Sequence, residues 1–371
     1  MGPRSWGRSA ALGARRSALQ VAHIDVGGPG RGVDGIATAV GSLIECTGLA
    51  GVRSDWVRCP RGQSLSSVVA TLLRPGLDTS VDLVHFHSAF RPVHLRQAAT
   101  LRAKGIPYVV SPHSAFAQPA LKRQEGLKRA WVRVAERAFL EKAAAVVCLT
   151  PLEAADVRRA APSARTVVVP NPMKAATEEL GIRARAPGQP YLLTLCRIDV
   201  YQKGLDLLAE LASLAAGLDF IVCGAPDGND PAEARRLMAS APANLQFRAP
   251  VFGGEKAAML AGASVYLQTS RWEGLSMSVL EAMAAGVPCA VSEYIAATLG
   301  DDAGDIVTVL PQDLREAADR LCTLLAGASD AAGKVERAKA HVAQRYSHEA
   351  VGQQLASVYL DCLGRGRGDR R

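Results

Sequence analysis

The 371-residue sequence contains no C-x-x-C pair, no D-x-D triplet and no long apolar run. Its eight cysteines, at positions 46, 59, 148, 196, 223, 289, 322 and 362, are scattered, and several lie inside apolar stretches such as AAVVCLT and DFIVCG. A disulfide framework or a cysteine zinc site needs clustered spacing, so these read as reduced, buried thiols of a cytoplasmic protein. No stretch reaches the roughly 18 apolar residues that would nominate a membrane span. The opening MGPRSWGRSAALGARRSALQ has arginines but no continuous apolar core, which gives a disordered basic leader over residues 1–18 rather than a secretory signal. Aspartates lie within three residues of one another only in DGND (227–230) and GDDAGD (300–305). A dedicated magnesium or manganese clamp is therefore absent from the pattern, and neither metal nor cofactor is expected.

The length exceeds that of one ordinary domain and suggests two. A net charge of +8 and an isoelectric point near 9.2 favour acidic partners: phosphorylated small molecules, anionic lipid or nucleic acid. Short β-branched runs alternate with longer helical patterns. ALQVAHIDV, VDLVHFH, IPYVVSP, AAVVCLT and RTVVVP fall in the first half, and YLLTLCR, DFIVCG, ASVYLQT and GVPCAVS in the second. Such alternation predicts parallel sheets covered by helices on both faces, an α/β fold of two Rossmann-like units. The expected divisions are 19–172, a linker at 173–189 rich in Pro, Ala and charge, 190–345, a helix at 346–364, and a disordered tail at 365–371.

Four groups of residues carry chemical information. Gly30, Gly32 and Gly35, in GGPGRGVDG, fit G-x-G-x-x-G between a strand and a helix, with Asp55 placed as a ribose-binding acid; this supports a dinucleotide site, or simply a glycine turn that includes Gly28. Ser278 and Glu281 form S-x-x-E, which by itself is a helix capping box. Glu273 lies on the loop after ASVYLQT, at the C-terminal edge of a sheet, beside Gly274 and ahead of a helix start suited to phosphate. Arg197 and Lys203 follow the strand YLLTLCR at a similar edge, where a guanidinium fork and an ammonium together suit a diphosphate. His85 and His87, in H-x-H, share one face of a strand, and His113 follows a third strand. With no carboxylate or cysteine adjacent, metal is not expected there, and satisfied edge histidines are the plain alternative.

Taken together, PHSAFAQPALK, VVVPN, CRIDVYQKGLDLL and SRWEGLSMSVLEAMAAGVPCAVS, with its E-x7-E, resemble the retaining, metal-independent glycosyltransferases of family four, which have the two-Rossmann GT-B fold. The resemblance implies that Glu273 touches the donor sugar and Glu281 the ribose hydroxyls. It also implies that Arg197 and Lys203 neutralise the diphosphate, that Gly274, Leu275 and Ser276 line the donor, and that His113 reaches the transferred sugar. It makes Gly28, Gly30 and Gly32 the family's glycine turn and sends the C-terminal helix back to the first unit. The implied activity is hexose transfer from a nucleoside diphosphate sugar to a glycan acceptor, lipid-linked, in surface polysaccharide synthesis, with no nucleic-acid partner. An NAD-dependent oxidoreductase and a catalytically silent sugar-nucleotide-binding protein stand as alternatives.

Pro119 to Ala143 has helical spacing, with Lys122, Arg129, Arg133 and Arg137 along one side and Leu127, Trp131, Val134 and Ala138 along another. Two readings stand: an apolar side in the core with a solvated basic side, or a basic side resting on an anionic membrane surface, peripheral on its inner face.

Overall fold

A computed structural model describes residues 18–26, 35–58, 81–122, 126, 130–173, 190–226, 230–327 and 330–368. Two six-stranded parallel sheets organise the chain. The first holds β1 (Gln20–Asp25), β2 (Arg53–Arg58), β3 (Leu83–His87), β4 (Tyr108–Ser111), β5 (Ala145–Cys148) and β6 (Thr166–Val168), in the order β2-β1-β3-β4-β5-β6. The second holds β7 (Tyr191–Leu195), β8 (Asp219–Cys223), β9 (Leu245–Arg248), β10 (Val265–Gln268), β11 (Cys289–Ser292) and β12 (Thr308–Leu310), in the order β12-β11-β10-β7-β8-β9. Every residue of β3, β4, β5 and β10 is buried, as continuous β-branched and aromatic runs require when helices cover both faces.

In each sheet the strand order reverses once, between β1 and β3 in the first and between β7 and β10 in the second. The crevice beyond the strand ends at such a reversal is where open α/β sheets bind ligands. Four apolar clusters pack these two sheets. The one containing Val21, Leu83 and Val109 is completed by Val351, Leu355 and Tyr359, which come from the helix His348–Gly368. The end of the chain thus covers a face of the first sheet. Where the chain passes between the sheets, Met173 and Ser347 form a parallel bridge, and the Met173 amide donates to the Tyr346 carbonyl at 2.6 Å.

The basic helix departs from its expected phase. A π-helical segment, Val132–Glu136, widens the turn ahead of Arg137–Glu141, so Glu136, Phe139 and Leu140 face inward. Val134 is 82% exposed and Ala138 is exposed beside Arg133 and Arg137, so the apolar stripe drawn at α-helical spacing is not a core face. Leu127 and Arg129 lie outside the described residues.

Candidate functional site

Both motif loops of the second sheet leave the strands that flank its reversal. Arg197 follows β7 and is exposed, and Lys203 ends the short helix Val200–Lys203. Glu273 follows β10. Arg271, two residues before it, ties the two loops together: its guanidinium donates twice to Asp206, at 2.7 Å each, and once to the Tyr201 carbonyl at 2.9 Å. It also lies over the Tyr201 ring, 4.7 Å from the centroid. The bidentate bond to Asp206 raises the Arg271 pKa further.

This clamp brings Lys203 Nζ against Glu273 Oε1, and the two side chains are only 12% and 11% exposed. Ser270 Oγ donates to the same carboxylate oxygen at 3.0 Å, with Gln268 Nε2 at 3.4 Å. Glu273 is therefore a held, largely covered acid rather than an open loop residue. Glu281 is paired with Lys256 Nζ at 2.8 Å. The helix between the two acids runs Met277–Ala284, so Glu281 lies in its second turn. Ser276 occupies the N-cap, and its hydroxyl makes no cap bond but meets Ser278 Oγ at 3.3 Å. The S-x-x-E capping box does not form, because Ser278 lies inside the helix and Glu281 turns to Lys256 instead of back to the chain start. Leu275, just ahead of the cap, is buried in the core of the second sheet.

His113 approaches from the first sheet, on the loop after β4. His113 and Ser114 have φ of 52° and 62°, an uncommon left-handed pair without glycine. Buried Glu153 holds this loop in place: its Oε1 accepts the Ser114 amide at 2.5 Å and its Oε2 the Leu149 amide at 2.6 Å. Burial raises the Glu153 pKa, and the two amide bonds oppose that shift. Glu136 does similar work on the loop after β3, accepting the Phe90 amide at 2.9 Å and Trp131 Nε1–H at 2.7 Å.

The Glu273 loop meets the His113 loop at Gly274, where an added Cβ would lie 2.2 Å from Ser114 Oγ and 3.1 Å from Leu149 Cδ1. Glycine is what lets these two loops approach. His113, Glu273, Lys203 and Gly274 therefore share one region between the sheets, with Glu281 one and a half helical turns past the cap.

Lys256, Gln268, Ser270, Arg271 and Glu153 join the site without having been marked as site residues by the sequence. Only Glu153 had a signal, as the fourth residue of TPLE, where Thr150 Oγ1 accepts the Glu153 amide at 3.1 Å. Gly28, Gly30 and Gly32 lie outside the described residues, and Gly35 opens the helix Gly35–Leu49. Asp55 is in the third position of β2, opposite Ala22 and exposed, which does not suit the ribose-binding acid of a dinucleotide site at a strand's end.

Two parallel Rossmann-like sheets, whose strand-end loops meet where Gly274 approaches Ser114 and Leu149, define the GT-B architecture. The family described as Glycosyl transferase 4-like domain matches residues 10–172, and that described as Glycosyl transferases group 1 matches residues 189–327. The chain belongs to the GT-B glycosyltransferases of the family-four type. It is 28% identical over 349 residues, 86% of each chain, to 2-deoxystreptamine glucosyltransferase of Streptomyces kanamyceticus. Among solved structures it resembles sucrose-phosphate synthase from Thermosynechococcus elongatus, with TM-score 0.74, 18% identity and coverage of 94% of this chain and 100% of that one. It also resembles Anabaena HepE in complex with UDP-glucose, with TM-score 0.69, 15% identity and coverage of 91% and 98%.

Proposed function

We propose that this glycosyltransferase moves a hexose from a nucleoside diphosphate sugar, with retention of configuration and without a metal ion. The observation that carries the reading is the pair of carboxylate–lysine contacts, Glu273 with Lys203 and Glu281 with Lys256, on either side of the helix start at Ser276. Before the donor arrives each acid is neutralised by a lysine. On binding, sugar hydroxyls bond Glu273 and ribose hydroxyls bond Glu281, while Lys203 and Arg197 turn to the diphosphate beside the uncapped helix amides. As the bond from the anomeric carbon to phosphate breaks, negative charge grows on the leaving diphosphate, and these fixed cations and amides stabilise it most at that moment. Retention then follows when the acceptor hydroxyl attacks from the side the phosphate leaves and gives that phosphate its proton. His113 contacts the sugar from the opposite unit. HepE, similar in fold, was captured with UDP-glucose, which supports a uridine diphosphate donor.

For the acceptor we take a lipid-linked glycan of surface polysaccharide synthesis, with the protein working at the cytoplasmic face of the membrane. Exposed Arg133 and Arg137 around exposed Val134 support docking on anionic lipid. No helix among the described residues is long and apolar enough to cross a membrane. The relative named for 2-deoxystreptamine favours a second reading, a small aminocyclitol acceptor.

Thermal-shift measurements with UDP-, GDP- and ADP-glucose test the donor, since a ligand at 100 times its Kd adds about 2.7 kcal/mol. Mass analysis of products formed on glycolipid extract and on 2-deoxystreptamine then separates the acceptors, and transfer should survive EDTA. Stabilisation by none of the three sugars overturns the donor reading, and binding without transfer to any acceptor favours a silent binding protein.

A further inference from the structure

Behind His113 the histidines continue inward in single file. His113 Nε2 lies 3.1 Å from His87 Nδ1, and His87 Nε2 lies 3.0 Å from His23 Nδ1. His23, His85 and His87 are each fully buried. His85 stands beside the file, its ring 4.2 Å from that of His87, with Nδ1 at 2.8 Å from the Tyr359 hydroxyl and Nε2 at 2.9 Å from Ser111 Oγ. His23 Nε2 has no hydrogen-bond partner among the described residues.

One nitrogen of each of the three buried histidines falls within 4.8 Å of the others, which also invites a metal reading. Five of their six nitrogens already have partners at hydrogen-bond distance, and among the described residues no carboxylate or thiolate joins the group. A hydrogen-bonded file accounts for more of the geometry.

Burial holds these imidazoles neutral, with the His23 pKa lowered to about 3 and those of His85 and His87 well below normal. A neutral imidazole has one N–H, so a file of them must point one way throughout. Pointing inward, it would leave an N–H stranded at His23 Nε2. Pointing outward, it leaves there only an unshared lone pair. Orphaned buried N–H groups are the rarer and costlier of the two.

We propose that His23 and His87 are positioning residues that fix His113 in the Nδ1–H tautomer. His23 Nδ1–H donates to His87 Nε2, and His87 Nδ1–H donates to His113 Nε2. His113 thereby carries its proton on Nδ1, where it can donate but not accept, and a hydroxyl oxygen of the sugar on that side would meet an N–H rather than a basic nitrogen. The chemical part of this inference rests on the donor-site reading of His113, but the tautomer itself is read without substrate.

Long-range proton–nitrogen correlation spectra of protein labelled with 15N-histidine, near pH 7.5, test it. Single substitutions assign the seven histidines. His23, His87 and His113 are expected in the Nδ1–H form, although free imidazole side chains in water favour Nε2–H. In His87→Leu, His113 should revert toward Nε2–H, and kcat should fall at least tenfold with donor KM little changed. In His87→Asn the side-chain amide stands near the place of Nδ1 and still donates to His113, so both the tautomer and most of kcat should return. Nε2–H forms in the wild-type spectrum overturn the proposal even if neither variant folds. So does one equivalent of zinc or another transition metal in the purified protein by elemental analysis, because the ring nitrogens would then be ligands. If no nucleotide sugar binds while the Nδ1–H tautomers are present, the donor-site reading fails and the file stands.

Discussion

Glu273 and Lys203 neutralise each other in a nearly covered site, so the two acids of E-x7-E respond differently to loss of charge. Glu273→Gln should lower transfer by about 100-fold or more, as expected when one preorganised contact to the reacting sugar is lost. It should also cost about 1–3 kcal/mol of stability, because Lys203 loses its charged hydrogen-bond partner. Adding Lys203→Met to Glu273→Gln should restore much of that stability but none of the activity, which denaturant titration and product assay distinguish. Glu281, more open to solvent, should act on affinity: Glu281→Gln weakens nucleotide binding about tenfold, roughly 1.4 kcal/mol, by calorimetry. Glu273 and Glu281 were legible as a spaced pair because spacing along one loop and helix survives folding. Lys256 and Gln268 were not, because nothing near them in sequence marks a lysine on one helix and a strand glutamine as partners of those acids.

At the scale of elements, the approach of the Glu273 loop to the His113 loop depends on the missing Cβ of Gly274. Gly274→Ala should change stability by less than about 1 kcal/mol, since the nearest obstacle is the end of the Ser114 side chain. It should lower transfer about tenfold while leaving nucleotide affinity alone, because the two loops are pushed apart. Ser114→Gly, which removes the obstacle at a backbone φ of 62°, should rescue it. Kinetics of the single and double variants decide this. The apolar strands of both sheets were readable from their runs. β2, β9 and β12 were not: all three are edge strands, RSDWVR and LQFR mix their apolar residues with polar ones, and TVL is only half-buried at two of its three positions. The basic helix was readable as a helix, but its inward face was not, because the π-helical segment shifts the phase that an α-helical count assumes.

For the molecule as a whole, buried neutral histidines set the response to acid. His23 and His94 titrate near pH 3 in the folded chain, and His85 and His87 are also held well below the ordinary value. The unfolded chain takes up protons at about pH 6.5, where the folded chain does not. The stability these groups contribute is therefore complete above about pH 6.5 and is lost progressively as pH falls toward 3. Moving from pH 7 to 5.5 should cost about 1 kcal/mol for each of them. Melting curves at the two values test this, and His94→Leu should flatten the difference by one histidine's share. The placement of Tyr359 over β1 and β3 bears on how the protein is made. A chain emerging from the ribosome delivers β1 to β6 long before the helix His348–Gly368 that shields one of their faces. The second sheet has its own strands and covering helices in hand by about the time that helix begins. The half synthesised first is thus the half finished last, with an apolar surface waiting through most of translation for the tail that closes it.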